Sequence, residues 1–281
     1  MNMTTIETLI PKQPFMVKLS SYYYKYIVGN YGISHFYSFR PQDDIDEIGT
    51  SVPDGCIDII FQYDRFHNEV VADFYGTALL PHSMKILPGS DCFGVRFLPG
   101  NVPLLADAMM PDLIDKIIPY EKLGRIKDLP EIIFRQDDFK DRIKIFMKEY
   151  MKLYELQYMG CIPLKDSLIS EIIKERGNIS VLNLSETTCY SVSYIDKIFL
   201  KEIGISPKKF SGIIRFQWMM NKIIVDPNDR TVNYASFMSE LGYYDQSHMI
   251  REFKKYSGRT PNMYLNELFR DDYLNRLKVV V

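Results

Sequence analysis

The sequence predicts an α+β chain of two domains: a β-rich unit of the barrel or sandwich kind, then an all-α unit. Three observations predict it. Residues 33–100 hold several short runs rich in Val, Phe and Tyr, each closed by Gly or Pro turns. After Gly100 the apolar residues move to a three-and-four spacing. From Leu164 onward that spacing recurs segment after segment, and one two-helix phrase occurs twice. A chain of 281 residues is long enough for about two such domains.

The N-terminus, MNMTTIETLIPKQPF, lacks the basic start and apolar core of a secretory signal. No apolar run approaches the roughly 18 residues of a membrane span. The chain therefore reads as cytoplasmic, with no membrane partner. The group SYYYKY at 21–26 supplies strand or interface aromatics, or a stacking surface for a ligand. In VPDGCIDIIFQYD, the turn Pro53-Asp54-Gly55 precedes an apolar run from Cys56 to Phe61. VVADFYGTALL and CFGVRFLPG have the same strand composition. Arg96 lies in the second of these. Facing inward it suits an anionic effector, and facing outward it is a surface residue.

VPLLADAMMPDLIDKII reads as helical, interrupted by Pro111. A longer helix runs from about Asp137 to Gln157. Its stripe Phe139, Ile143, Phe146, Tyr150, Leu153 either packs on its own domain or pairs with a second copy in a homodimer. MGCIPLK, 159–165, is the expected break, since Gly160 and Pro163 resist helix continuation. The expected organisation is thus a β-rich sensor or effector domain at 1–120, a helical connector at 121–162 with a possible dimerisation helix, and a helical domain at 163–281.

In that last domain the sequence predicts helices over Leu164–Arg176, Leu184–Cys189, Ser191–Ile203, Pro207–Val225, Tyr234–Leu241, Gln246–Tyr256 and Pro261–Phe269. Gly242 ends one of them, and Asp245 suits the N-cap of the next. Met249, Phe253 and Tyr256 share an inward face. Ser247, Arg251 and Lys254 or Lys255 lie on another. A short helix, a turn and a second helix with polar residues at its start is a helix-turn-helix. LNLSETTCYSVSYIDKIFLKEIGISP repeats the design, so the units fall at about 184–203 and 234–257. In the first, Ile195, Ile198, Phe199 and Ile203 point in, and Ser193, Asp196, Lys197 and Lys201 point out. Pro207–Val225 joins them and is long enough, about 28 Å at 1.5 Å per residue, to hold them roughly one DNA turn apart. Trp218, on its inward face, reads as core.

LGYYDQSHMIREFKKYSGRTPNMY is similar over its whole length to the signature of the AraC/XylS family of bacterial transcription regulators. The resemblance implies that the second helix of each unit reads the DNA major groove. The implied contacts are Ser193, Asp196 and Lys197 in the first unit, and Gln246, Ser247 and Arg251 in the second. Lys201, Lys254 and Lys255 would meet phosphates. Cys189 stands where the family often has a turn glycine, Met238 where it has a small residue, and Asp196 is an acid at a base-facing position. VPDGCIDIIF and CFGVRFLPGNVPLL are similar to phrases of the cupin-like sensor domains that precede this module in many members. The implied fold is a cupin-like β-barrel followed by a double helix-turn-helix. The implied partners are a double-stranded operator, a small-molecule effector in the N-terminal domain, and RNA polymerase.

Composition narrows the alternatives. The formal charge is −2. It divides unevenly, with 17 Lys and Arg against 14 Asp and Glu from Pro163 on, and 17 against 22 before it. Cys56, Cys92, Cys161 and Cys189 are far apart and read as reduced, buried thiols. His35, His67, His82 and His248 are scattered, so no metal site is expected, and no cofactor. The motifs G-x-S-x-G, G-x-G-x-x-G, H-E-x-x-H and the P-loop are absent. An enzyme is not expected. A DNA-repair methyltransferase, which can carry a similar helical segment, needs clustered cysteines that this chain lacks. A regulator without a small ligand, whose N-terminal domain serves protein contacts, is the other reading.

Overall fold

A computed structural model of the chain describes residues 9–42, 49–84, 86–157, 163–224, 232, 234–270 and 272–280. The expected break at 159–165 lies outside them as far as residue 162. The chain enters through helix α1 (Pro14–Val17) and a hairpin of β1 (Tyr23–Asn30) and β2 (Ile33–Phe39). Strands β3 (Gly49–Ser51), β4 (Asp58–Asp64), β5 (Glu69–Tyr75), β6 (His82–Met84) and β7 (Asp91–Phe97) follow. Then come α2 (Met110–Leu113), β8 (Ile117–Pro119), α3 (Tyr120–Leu123), α4 (Leu129–Phe134) and the long α5 (Phe139–Gln157). The second half holds α6 (Leu164–Lys174), α7 (Val181–Thr188), α8 (Val192–Glu202), α9 (Pro207–Ile224), α10 (Tyr234–Leu241), α11 (Gln246–Ser257), α12 (Pro261–Arg270) and α13 (Tyr273–Arg276). It ends in a strand, β9 (Leu277–Val280).

Seven strands form one sheet in the order β8-β5-β4-β7-β2-β1-β9, and β3 pairs with β6 alone. The order is open: among the described residues no ladder joins β8 to β9, so the expected barrel is a sheet with two ends. The strands are antiparallel except at β9, which pairs parallel with β1 through Tyr23↔Leu277 to Tyr26↔Val280. The sequence places residues 277–280 in the helical unit, yet they complete the sheet of the other.

Side chains alternate across this sheet with the period of two that a strand imposes. Phe36, Ile59, Phe61, Phe74, Phe93 and Val95 point to one face. Tyr23, Tyr37, Phe39, Ile60, Tyr75 and Cys92 point to the other. Both faces are covered, which is why successive residues of β4 and β7, Ile59 to Phe61 and Cys92 to Phe93 among them, are buried rather than alternating with exposed ones. On the first face Phe146 of α5 meets Phe36 edge-on at 5.3 Å, and Tyr120 of α3 stacks on Phe74 at 5.2 Å. On the second lie Met16 and Val17 of α1 and Tyr273 of α13.

The stripe on α5 is therefore consumed within the chain. Ile143, Phe146 and Tyr150 are buried, and Phe139 and Leu153 pack against the same core. Of the two alternatives its spacing left open, the stripe takes the first, packing on its own domain. The helical reading of 102–118 fails in most of its length. Only Met110–Leu113 is helical, with Pro111 in its first turn, where proline lacks no needed donor. Asp115 then turns the chain at φ 54, and Ile117–Pro119 joins β5.

One apolar cluster runs from the sheet into the helices, from Phe36 and Phe97 to Ile169, Ile203, Phe210 and Phe253. Hydrogen bonds fasten the seam. The Lys12 N–H donates to Gln217 Oε1 at 2.8 Å, and Gln217 Nε2 donates to the Pro53 carbonyl at 2.9 Å. Gly100 shows how close the approach is: a Cβ there would sit 2.3 Å from Ile169 Cδ1.

Candidate functional site

Two helix pairs make up the candidate surface, α7–α8 and α10–α11. Each second helix starts on a side-chain cap. Ser191 accepts from the Tyr194 N–H, and Asp245 accepts from the His248 N–H at 2.7 Å. Each turn needs one left-handed residue. In the second pair it is Gly242 at φ +67; in the first it is Cys189 at φ 58, the position where the family resemblance would put glycine. Cys189 is exposed, which corrects the buried-thiol expectation for it; Cys56 and Cys92 are buried, and Cys161 lies outside the described residues. The helix α7 starts at Val181 on a Ser180 cap, three residues before the expected Leu184.

The inward faces hold Ile195 and Phe199 on α8, and Met249, Phe253 and Tyr256 on α11, all buried. Ser193 and Lys197 are exposed on α8, and Asp196 is half-buried. Gln246, Ser247, Arg251 and Lys255 are exposed on α11. Among the described residues Arg251 and Lys197 have no ion-pair partner. The Lys255 ammonium lies 4.9 Å from the Tyr256 ring centre. It also borders a cleft of about 530 Å³ shared with Leu79, His82, Asp115 and Lys209, so the sheet unit reaches the C-terminal end of α11. The acid on α11, Glu252, faces away from the polar side and pairs with Arg215 of α9.

A second constellation lies on the α1 face of the sheet. Arg96 faces inward, but its charge is already met: Nη2 is 2.6 Å from Asp58 Oδ2 and Nη1 is 3.0 Å from Asp54 Oδ2. Burial opposes the Arg96 charge, and the Asp58 and Asp54 carboxylates outweigh it, holding the pKa well above the usual arginine value. An open cation for an anionic effector, the inward option for Arg96, is thus not what β7 presents.

The uncompensated charge is its neighbour. Lys25 is 6% exposed. It has no hydrogen-bond or ion-pair partner among the described residues. Burial pushes its ammonium well below the usual lysine value, and Lys12 and Arg96 push the same way. His35, also buried, is lowered by burial and then by Lys25, while its Nδ1 sits 2.9 Å from Ser34 Oγ. Lys12, Lys25, His35 and Arg96 border a cavity of about 10 Å³, room for one water at most, closed by Tyr273 and Leu277 of the C-terminal segment.

The sequence held a signal for this cluster that was not read. Lys25 and His35 are the basic residues of two aromatic stretches, SYYYKY and ISHFYSF, and each shares its strand face with an inward tyrosine. Among the described residues, no group of three or more His, Cys, Asp and Glu is placed to hold a metal, and no helix is long and apolar enough to cross a membrane.

Comparison with known proteins adds the following. The family model of a domain of unknown function, DUF6597, matches residues 32–119. No curated protein matches the chain. Among solved structures the chain is similar to apo ToxT from Vibrio cholerae, a lysine-to-alanine variant, at 12% identity and a TM-score of 0.46, over 84% of this chain and 98% of that one. It is also similar to unsaturated-fatty-acid-bound wild-type ToxT, at 12% identity and a TM-score of 0.41, over 87% of this chain and 92% of that one. Likeness at that level does not transfer a function.

Proposed function

We propose that the protein is a sequence-specific DNA-binding transcription regulator of the AraC type, with α8 and α11 as its reading helices. The observation that carries this reading is the pair of matched units. Both second helices begin on a side-chain cap, bury an apolar face and expose a polar one, and α9 runs between them. Ser193, Asp196 and Lys197 would face bases in one half-site, and Gln246, Ser247 and Arg251 in the other. Lys255 would meet a phosphate.

The sheet unit is the regulatory part. A small effector with an anionic group is the chemistry best matched to Lys25, because an anion there would supply the counter-charge that the fold withholds. Its entry requires the C-terminal segment to move. That segment continues α12, which packs on α11, so effector binding and the presentation of the second reading helix are linked. The small volume beside Lys25 favours a second reading, in which no small ligand binds and the sheet serves contacts with other proteins, RNA polymerase among them.

Selection of duplexes from a randomised library by the full chain tests the DNA reading. It should enrich a motif with two elements about 10 base pairs apart. Recovery of no motif at physiological salt would remove the reading.

A further inference from the structure

We infer that Tyr190 and Tyr244 are matched contacts to the DNA backbone, one in each helix-turn-helix turn, which hold the duplex by neutral hydrogen bonds and ring packing. The inference rests on the DNA-binding reading above.

Aligning the two units on their N-caps, Ser191 and Asp245, puts a tyrosine immediately before each cap. Neither ring is spent on the core. Tyr244 is 95% exposed, and it has no ring, ion or hydrogen-bond partner among the described residues. Its neighbour Tyr243 shows what a structural tyrosine does in this turn: it is buried, donates to Glu252 Oε1 at 2.7 Å and lies under Arg215. Tyr190 is 42% exposed and stacks on Tyr194, also exposed, with ring centres 5.4 Å apart. A large ring left in water at one position would be ordinary. The same residue at the same place in both turns asks for a common partner.

Position names that partner. A reading helix enters the major groove N-terminus first, so the residue before its cap sits at the groove lip, beside the sugar-phosphate strand. A tyrosine there can donate its hydroxyl proton to a phosphate oxygen while the ring lies against the deoxyribose.

The test uses the full chain and two duplexes, one recovered by selection from a randomised library and one of scrambled sequence, titrated over a range of salt. Tyr244→Ala should weaken binding to both by about fivefold to tenfold, the worth of about one hydrogen bond, with the salt slope unchanged. Tyr244→Phe should recover part of the loss through the ring, and Tyr190→Ala should behave as Tyr244→Ala does. Lys255→Ala is the contrast, lowering the salt slope by about one. Unchanged binding by Tyr244→Ala and Tyr190→Ala, with a wild type that binds both duplexes, would overturn this inference alone. A wild type that binds neither duplex would overturn it together with the DNA-binding reading. Melting curves of the variants should match wild type, because exposed rings are being removed; a loss of stability would assign Tyr244 to packing and overturn the inference.

Discussion

Arg215 of α9 and Glu252 of α11 form a two-point ion pair, with Nε 2.9 Å from Oε1 and Nη2 2.8 Å from Oε2. The Tyr243 hydroxyl donates to the same carboxylate at 2.7 Å. Both charged side chains are mostly buried, so the pair fixes α11 to α9. Arg215→Ala should cost about 2–4 kcal/mol in urea unfolding, because it strands a half-buried carboxylate. Arg215→Lys should recover only part of that, since an ammonium cannot reproduce the fork. A loss within experimental error for Arg215→Ala would show that the pair is ornamental.

The left-handed backbone at Cys189 gives a second prediction. A non-glycine residue at φ 58 carries strain that glycine does not. Cys189→Gly should raise stability by about 1 kcal/mol, less the extra freedom glycine gives the unfolded chain. Cys189→Val, branched at Cβ, should lower it. Thermal melts of the two variants should therefore move in opposite directions; a shift in the same direction would mean the turn is not held as described.

The buried amine predicts a pH dependence. Lys25 holds its proton less tightly in the folded chain than in the unfolded one, through burial and then the charges of Lys12 and Arg96. Between the lowered value and the ordinary 10.5, the unfolded chain binds more protons, so stability rises with pH through that window. Lys25→Met should accordingly stabilise the protein by about 1–4 kcal/mol near neutral pH. The gain should shrink as pH rises, while His35, neutral through burial, contributes little above pH 7. Denaturant titrations at several pH values would decide it. A variant less stable than wild type throughout would mean that Lys25 has a partner when folded.

How far the sequence could be read follows from what each pattern encodes. The helices of the second half were legible to within a few residues, because caps such as Asp245, the stop at Gly242 and the face of Met249, Phe253 and Tyr256 are all local. The α5 stripe was legible as apolar but not as to its partner, since periodicity says that a face is buried and not against what. Pairing was the least legible. Nothing local in LKVV says that it will lie beside Tyr23–Tyr26, and the open sheet depends on that long-range choice. Arg96 was found from its phrase, but Asp54 and Asp58, which neutralise it, were read only as turn and strand. Lys25 escaped because an uncompensated buried charge is defined by the absence of neighbours, which no short motif records.

The central claim is that α11 reads DNA with one face and packs with the other. Its most direct test is the affinity of Arg251→Ala for a selected operator and for a scrambled duplex at matched salt, with Phe253→Ala alongside. Arg251→Ala should keep wild-type stability and lose about 1–3 kcal/mol of operator binding, with little change on the scrambled duplex. Phe253→Ala should instead lose about 3–5 kcal/mol of stability, because a fully buried ring leaves the core. If Arg251→Ala bound its operator as tightly as wild type, α11 would not be a reading helix, and the account built on it would be contradicted.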